Sequence, residues 1–206
     1  MKTEIISILD RSGSMGMLVS DTIGGYNSFL ADQKKLDGEC KVTTVLFDDR
    51  YEELYSAVDI KNVKDLTSKE YFVRSTTALY DAIGRATTSA GARFAKMSES
   101  DRPDKVIVLI ITDGFENASK EFTLSQIKEM IQHQESKYSW EFVYLGANQD
   151  AFDVGSSMGM KMSNVATYAA TSTGTTTAYA GFSAKTTSFR CGLTADAVVM
   201  ADAINK

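Results

Sequence analysis

Ile5-Ile6-Ser7-Ile8-Leu9-Asp10-Arg11-Ser12-Gly13-Ser14 is an apolar run that ends abruptly in oxygen-bearing side chains. A nearly continuous apolar run reads as a strand buried on both faces, as in a parallel sheet. Its polar ending then falls at the carboxyl edge of the sheet, where open α/β sheets bind their ligands. Asp10, Ser12 and Ser14 alternate with Arg11 and Gly13, so three oxygens can converge while Gly13 relaxes the backbone. Three hard oxygen donors in one tight turn point to a hard cation.

The 206 residues suit one large domain, or one domain with an appendage, and are enough to bury a substantial core. A net charge of −5 gives no basic face, so nucleic acid is not an expected partner. No apolar stretch reaches signal-peptide or membrane-span length, so no membrane partner is expected and the reading is cytoplasmic. Cys40 and Cys191 lie far apart and match neither a zinc spacing nor a redox motif, so both read as free thiols.

Beyond Ser14, the spacing of Met17, Val19, Ile23, Tyr26, Phe29 and Leu30 predicts a helix that stops before Gly38. Gly24-Gly25 inside it costs about 1 kcal/mol per glycine relative to alanine, which reads either as close packing against another backbone or as a kink or late start. The β-branched stretch 40–47, a turn at Asp48-Asp49 and a second strand over 51–57 predict a hairpin at one side of the sheet. An Asp pair there reads as turn chemistry before metal ligation. Residues 58–75 are expected to form a loop with a short helix over 63–66. Thr76 or Thr77 then caps a helix carrying Leu79, Ile83, Ala86 and Ala90.

Val106-Ile107-Val108-Leu109-Ile110-Ile111 is the most apolar strand and ends in Thr112-Asp113-Gly114. Two apolar strands thus each end in an Asp closely followed by Gly or Ser, and a parallel sheet puts both endings on one edge. Thr123 caps a helix with Leu124, Ile127, Met130 and Ile131, and His133 near its end reads as a solvated complement to the helix dipole. Residues 140–146 form the next strand, Asn148 caps a helix over 151–158, and 161–163 is a short edge strand. The Ala/Ser/Thr/Gly-rich segment 164–187 resembles a linker in composition. Yet Val165, Tyr168, Thr171, Thr175, Tyr179, Phe182, Thr186 and Phe189 have helical spacing, which predicts a helix with an aromatic face on the sheet. Residues 194–204 are helical in spacing too. The class is α/β, with a mostly parallel sheet and right-handed crossovers.

Asp10-Arg11-Ser12-Gly13-Ser14, Thr77 and Asp113-Gly114 together resemble the metal-ion-dependent adhesion site of von Willebrand factor type A domains. The resemblance covers about residues 1–190 and leaves 191–206 as a C-terminal helical extension. It implies a Rossmann-like fold with one antiparallel edge strand and helices on both faces. It also implies that Ser12, Ser14 and Thr77 ligate a Mg²⁺ or Mn²⁺ ion directly or nearly so, with Asp10 and Asp113 bound directly or through water. Oxygen-only ligands suit Mg²⁺, with Ca²⁺ also possible, and disfavour zinc. Two carboxylates among five ligands leave the cation electrophilic, so a protein partner's Asp or Glu carboxylate can complete its shell, as in the family. A compact form of this kind resembles bacterial or phage members.

Some positions depart from the pattern. Arg74-Ser75-Thr76 stands where a Gly-rich approach is common and makes Thr76 a rival to Thr77, although Ala78-Leu79-Tyr80 favours Thr77. Phe115 follows Asp113-Gly114, so Phe115, Met15, Met17 and Arg11 either form an apolar and basic collar around the metal or are incidental. The leading expectation is a non-enzymatic binding module. A Mg²⁺-dependent phosphoryl-transfer enzyme with Asp10 as nucleophile is the alternative from another class, but Ser12 stands where the second carboxylate is needed and no Walker-type loop is present. A structural subunit with a vestigial site is the third reading.

Overall fold

The computed structural model describes residues 1–147, 150–193 and 198–204. The run that opens the chain forms β1 (Lys2–Asp10), buried from Thr3 onward. It lies between β2 (Glu39–Phe47) and β4 (Lys105–Thr112), parallel to both. β5 (Glu141–Ala147) and β6 (Val165–Tyr168) extend the sheet in parallel beyond β4. β3 (Tyr51–Asp59) pairs antiparallel with β2, giving a six-stranded sheet of order β3-β2-β1-β4-β5-β6.

Alternate side chains of the central strands feed two cores, as the two-residue period of a strand requires. Ile5, Leu9, Ile107, Leu109 and Ile111 face α1 (Val19–Lys34), α5 (Ser172–Arg190) and α6 (Met200–Ile204). Ile6, Ile8, Val106, Val108 and Ile110 face α2 (Leu79–Ala95), α3 (Leu124–Tyr138) and α4 (Ala151–Ser157). Helices on both faces explain why β1 and β4 are buried almost throughout instead of alternating between buried and exposed. Among the described residues, no helix is long and apolar enough to cross a membrane.

The Ala/Ser/Thr-rich helix is present as α5, and its Tyr179, Phe182 and Phe189 are buried on the sheet side. Phe182 packs on Phe29 of α1 with ring centroids 4.7 Å apart. Gly25 of α1 meets the Tyr179 ring so closely that an added methyl would lie 2.3 Å from it, whereas a methyl on Gly24 would meet nothing within 4 Å. The glycine pair therefore reflects close packing at one position, against a ring and not a backbone. Thr123 makes a capping box with Gln126 at the start of α3.

Several local expectations fail. A 3-10 turn over Gly13–Leu18 precedes α1. Residues 63–66 are not helical, and the short 3-10 turn lies at Ile60–Asn62 instead. The Asn27 side chain pairs with both backbone groups of Leu66, at 2.9 and 2.8 Å, so an α1 amide takes the place of helical bonds. Neither Thr76 nor Thr77 caps α2, because Ala78 holds that position without a side-chain bond. Residues 161–163 are not a strand: a 3-10 turn spans Met162–Asn164, and Glu141 holds it through Lys161 Nζ at 2.8 Å and Asn164 Nδ2 at 2.7 Å. Val165 and Tyr168, expected in a helix, belong to β6. Asp150 caps α4 by accepting from the backbone of Phe152 and Asp153, and the cap expected at Asn148 lies outside the described residues. So do residues 194–197 of the final helix, whose described part is α6.

At the amino edge of the sheet, burial pushes the Glu135 carboxyl up from 4.5 to about 7, with Lys161 opposing and Glu141 reinforcing the shift. The folded chain holds this proton where the unfolded chain has released it, so stability declines as pH rises from 4.5 towards 7. Urea melts across that window should show a decline that Glu135→Gln flattens. In the same assay Gly25→Ala should lose about 1–3 kcal/mol through overpacking. Gly24→Ala should gain about 0.5–1 kcal/mol through helix propensity.

Candidate metal centre

Asp10 ends β1 with no solvent exposure, and each of its oxygens is engaged. Oδ1 accepts from the Ser12 amide at 2.6 Å, Oδ2 accepts from the Thr112 hydroxyl, and the Asp10 carbonyl accepts from the Tyr71 hydroxyl. Thr112 also accepts from the Gly114 amide at 3.1 Å, so one threonine at the end of β4 joins the first and third loops. Ser12 Oγ and Ser14 Oγ lie 3.1 Å apart, and Ser14 Oγ donates to Asp113 Oδ1 at 2.5 Å. Four of the five residues singled out in the sequence thus form one connected polar chain.

Thr77 arrives from the second loop. The Asn117 side chain accepts from its amide at 2.9 Å, and the Asn117 amide donates to its carbonyl at 3.0 Å. A methyl group placed on Gly114 would lie 3.1 Å from Thr77 Oγ1, 3.2 Å from Ser14 Oγ and 3.9 Å from Asp10 Oδ2. Oxygens from three loops therefore surround one small space that glycine keeps open. Thr77 is buried and delivers its hydroxyl there, while Thr76 is exposed. Ser12 is buried, Asp113 partly so, and Ser14 is exposed, so the cluster opens to solvent along the side of Ser14 and Asp113.

Burial lifts the Asp10 carboxyl to about 6, against the hydrogen bonds from Thr112 and Ser12, and the Asp113 charge adds to the rise. Burial also raises the Asp113 carboxyl, with the Ser14 hydrogen bond opposing. Two carboxylates that are costly to ionise, beside neutral hydroxyls, fit a hard divalent cation, which would favour the charged form of both. Among the described residues, no group of three or more His, Cys, Asp and Glu gathers to hold a metal, and the donor set here is rich in hydroxyls instead.

Residues that the sequence reading passed over hold these loops. Asp48, read as a turn residue, is fully buried. It accepts from the Arg74 guanidinium, with Nη2 at 3.0 Å, and from the Arg50 amide at 2.7 Å, while its carbonyl accepts from the Ala78 amide at 2.9 Å. Burial works against ionisation there, but Arg74, the Arg50 amide and Arg11 hold the carboxyl below its usual value. Arg11 is also fully buried and turns inward, with Nη2 2.6 Å from Glu52 and Nη1 3.2 Å from the Glu70 carbonyl. Met15 is buried as well. Neither residue is part of a collar, which is left to Met17 and Phe115. Glu116 takes over the capping of α2 by accepting from the Tyr80 amide at 3.0 Å.

No family model matches the chain, and no curated relative matches it. Solved structures do. The von Willebrand factor domain of the type V pili tip protein Mfa5 from Porphyromonas gingivalis aligns with a TM-score of 0.64 at 9% identity, over 94% of this chain and 96% of that one. A von Willebrand factor type A protein from Catenulispora acidiphila aligns with 0.58 at 13% identity, over 89% of this chain and 42% of that one. The manganese-loaded TRAP protein of Plasmodium vivax aligns with 0.52 at 15% identity, over 70% and 57%. This chain thus spans less than two thirds of the length of the last two proteins. Its fold is that of von Willebrand factor type A domains.

Asn117→Ala and Asp48→Asn should each loosen the Thr77 segment, so that any divalent cation the cluster takes up, with Mg²⁺ as the probe, is held roughly tenfold or more weakly than by the unaltered chain. Calorimetric titration checks this, and Asn117→Asp, which keeps the acceptor oxygen, should recover most of the affinity. Equal Mg²⁺ affinity in all forms would show that these contacts do not position the hydroxyl.

Proposed function

We propose that this chain is a metal-dependent protein-binding module in which Asp10, Ser12, Ser14, Thr77 and Asp113 hold a Mg²⁺ ion, with Mn²⁺ or Ca²⁺ as substitutes. The observation that carries this reading is the convergence of oxygens from three loops on the space beside Gly114. A divalent ion held there supplies the positive charge that an Asp or Glu carboxylate of a protein partner recognises. Asp10 anchors the site from the buried side, and Ser14 and Asp113 present it to solvent. With two carboxylates against two positive charges, the set has no surplus negative charge to repel an anionic group. The manganese-loaded TRAP structure, of the same fold, supports a divalent cation as the class of ligand.

Phosphoryl transfer from Asp10 is the weaker reading. A nucleophilic carboxylate has to reach a phosphorus atom, and Asp10 is fully buried with both oxygens already hydrogen-bonded. Asp10→Ala should lower Mg²⁺ affinity by more than about a hundredfold. Affinity capture in Mg²⁺ should recover a partner that is lost in a chelator and lost with Asp10→Ala. Recovery of the same partner under all three conditions would sink the metal-bridged reading and favour a vestigial site.

A further inference from the structure

Among the described residues nine large apolar side chains are exposed, and three of them sit on the loops that form the site. Met17 is 91% exposed, Phe115 65% and Phe72 44%. Each sits on a different loop beside Ser14. Met17 follows Ser14 within the 3-10 turn. Phe115 follows Gly114, whose added methyl would lie 3.2 Å from Ser14 Oγ. Phe72 lies in the segment tied to the first loop by Arg74 N to Arg11 O at 3.0 Å and Gly13 N to Ser75 O at 2.8 Å. Its ring is steadied by the Arg11 and Arg74 guanidiniums, 5.5 and 5.8 Å from its centroid. Single exposed hydrophobes need no explanation, but three on adjoining loops of one functional edge suit an interaction surface.

The charges at this edge restrict the partner further. Arg11 and Arg74 are already spent on Glu52 and Asp48. Asp113 stands at the mouth of the site, and three residues on, Glu116 is held by the amides of Tyr80, Ala118 and Ser119. A second acidic group beside the captured one would meet the Glu116 carboxylate or an apolar side chain. We propose that Met17, Phe72 and Phe115 select a partner segment in which a single Asp or Glu is flanked on both sides by large apolar side chains. This rests on the metal-bridged reading given above.

Fluorescence anisotropy with short labelled peptides tests it. The probes carry a central Glu flanked by Leu and Phe, by Ser, or by further Glu, and each has a version with central Gln. In Mg²⁺ the Leu/Phe-flanked Glu peptide should bind roughly tenfold tighter than the Ser-flanked one, about what partial burial of one large side chain yields. The Met17→Ser/Phe115→Ser double variant should bring the two level while Mg²⁺ affinity stays unchanged. Equal binding of the two by the unaltered chain, with full dependence on Glu and Mg²⁺, overturns the collar and leaves the metal-bridged reading standing. Tightest binding of the Glu-flanked peptide also overturns the collar. Binding of the Gln peptide equal to the Glu peptide and indifferent to chelator overturns the metal-bridged reading and this proposal with it, as does failure of every peptide to bind.

Discussion

The architecture of the candidate site depends on one buried carboxylate. Asp10 closes β1 with both oxygens hydrogen-bonded, one to its own loop through Ser12 and the other to the end of β4 through Thr112. Burying a carboxylate is expensive, and the upward shift of this one to about 6 records that cost. The parallel pairing of β1 with β4, in which Leu9 lies opposite Ile111, makes the arrangement possible by ending both strands at one level. The hydrophobic layers set that register, and the register sets the carboxylate.

Around this anchor the loops are held by polar contacts, in contrast to the apolar packing of the strands and helices. Asp48 joins the β2–β3 turn to Arg74 and Ala78, Arg11 reaches Glu52 and the Glu70 carbonyl, and Asn117 grips Thr77 by both backbone groups. Such contacts are directional, so they fix the placement of a hydroxyl more finely than burial alone. Arg11 and Met15, two of the four residues that could have formed a collar, are absent from the surface: Arg11 pairs inside with Glu52, and Met15 fills the core under the first turn.

The likeness to type A domains at 9–15% identity shows how little of the sequence the fold fixes. Function on such a scaffold is decided by the few side chains at the carboxyl edge and by what surrounds them. In this chain apolar side chains and Glu116 surround the site, with Arg11 and Arg74 turned to structural tasks.

The sequence by itself determined the buried strands, the α/β class and the two Asp endings that share an edge, because an unbroken apolar run and a polar stop are local signals. It also determined the aromatic stripe of α5, which survives a composition that mimics a linker. Only the tertiary structure decided that Val165 and Tyr168 extend the sheet, that α2 is capped by Glu116 instead of its own threonines, and that Asp48 is a buried hub. The reason is distance along the chain: Glu116 lies 36 residues from Tyr80, Asn117 lies 40 from Thr77 and Arg74 lies 26 from Asp48. Periodicity cannot report on partners so far apart, and these contacts exist only once the sheet has brought its loop ends together.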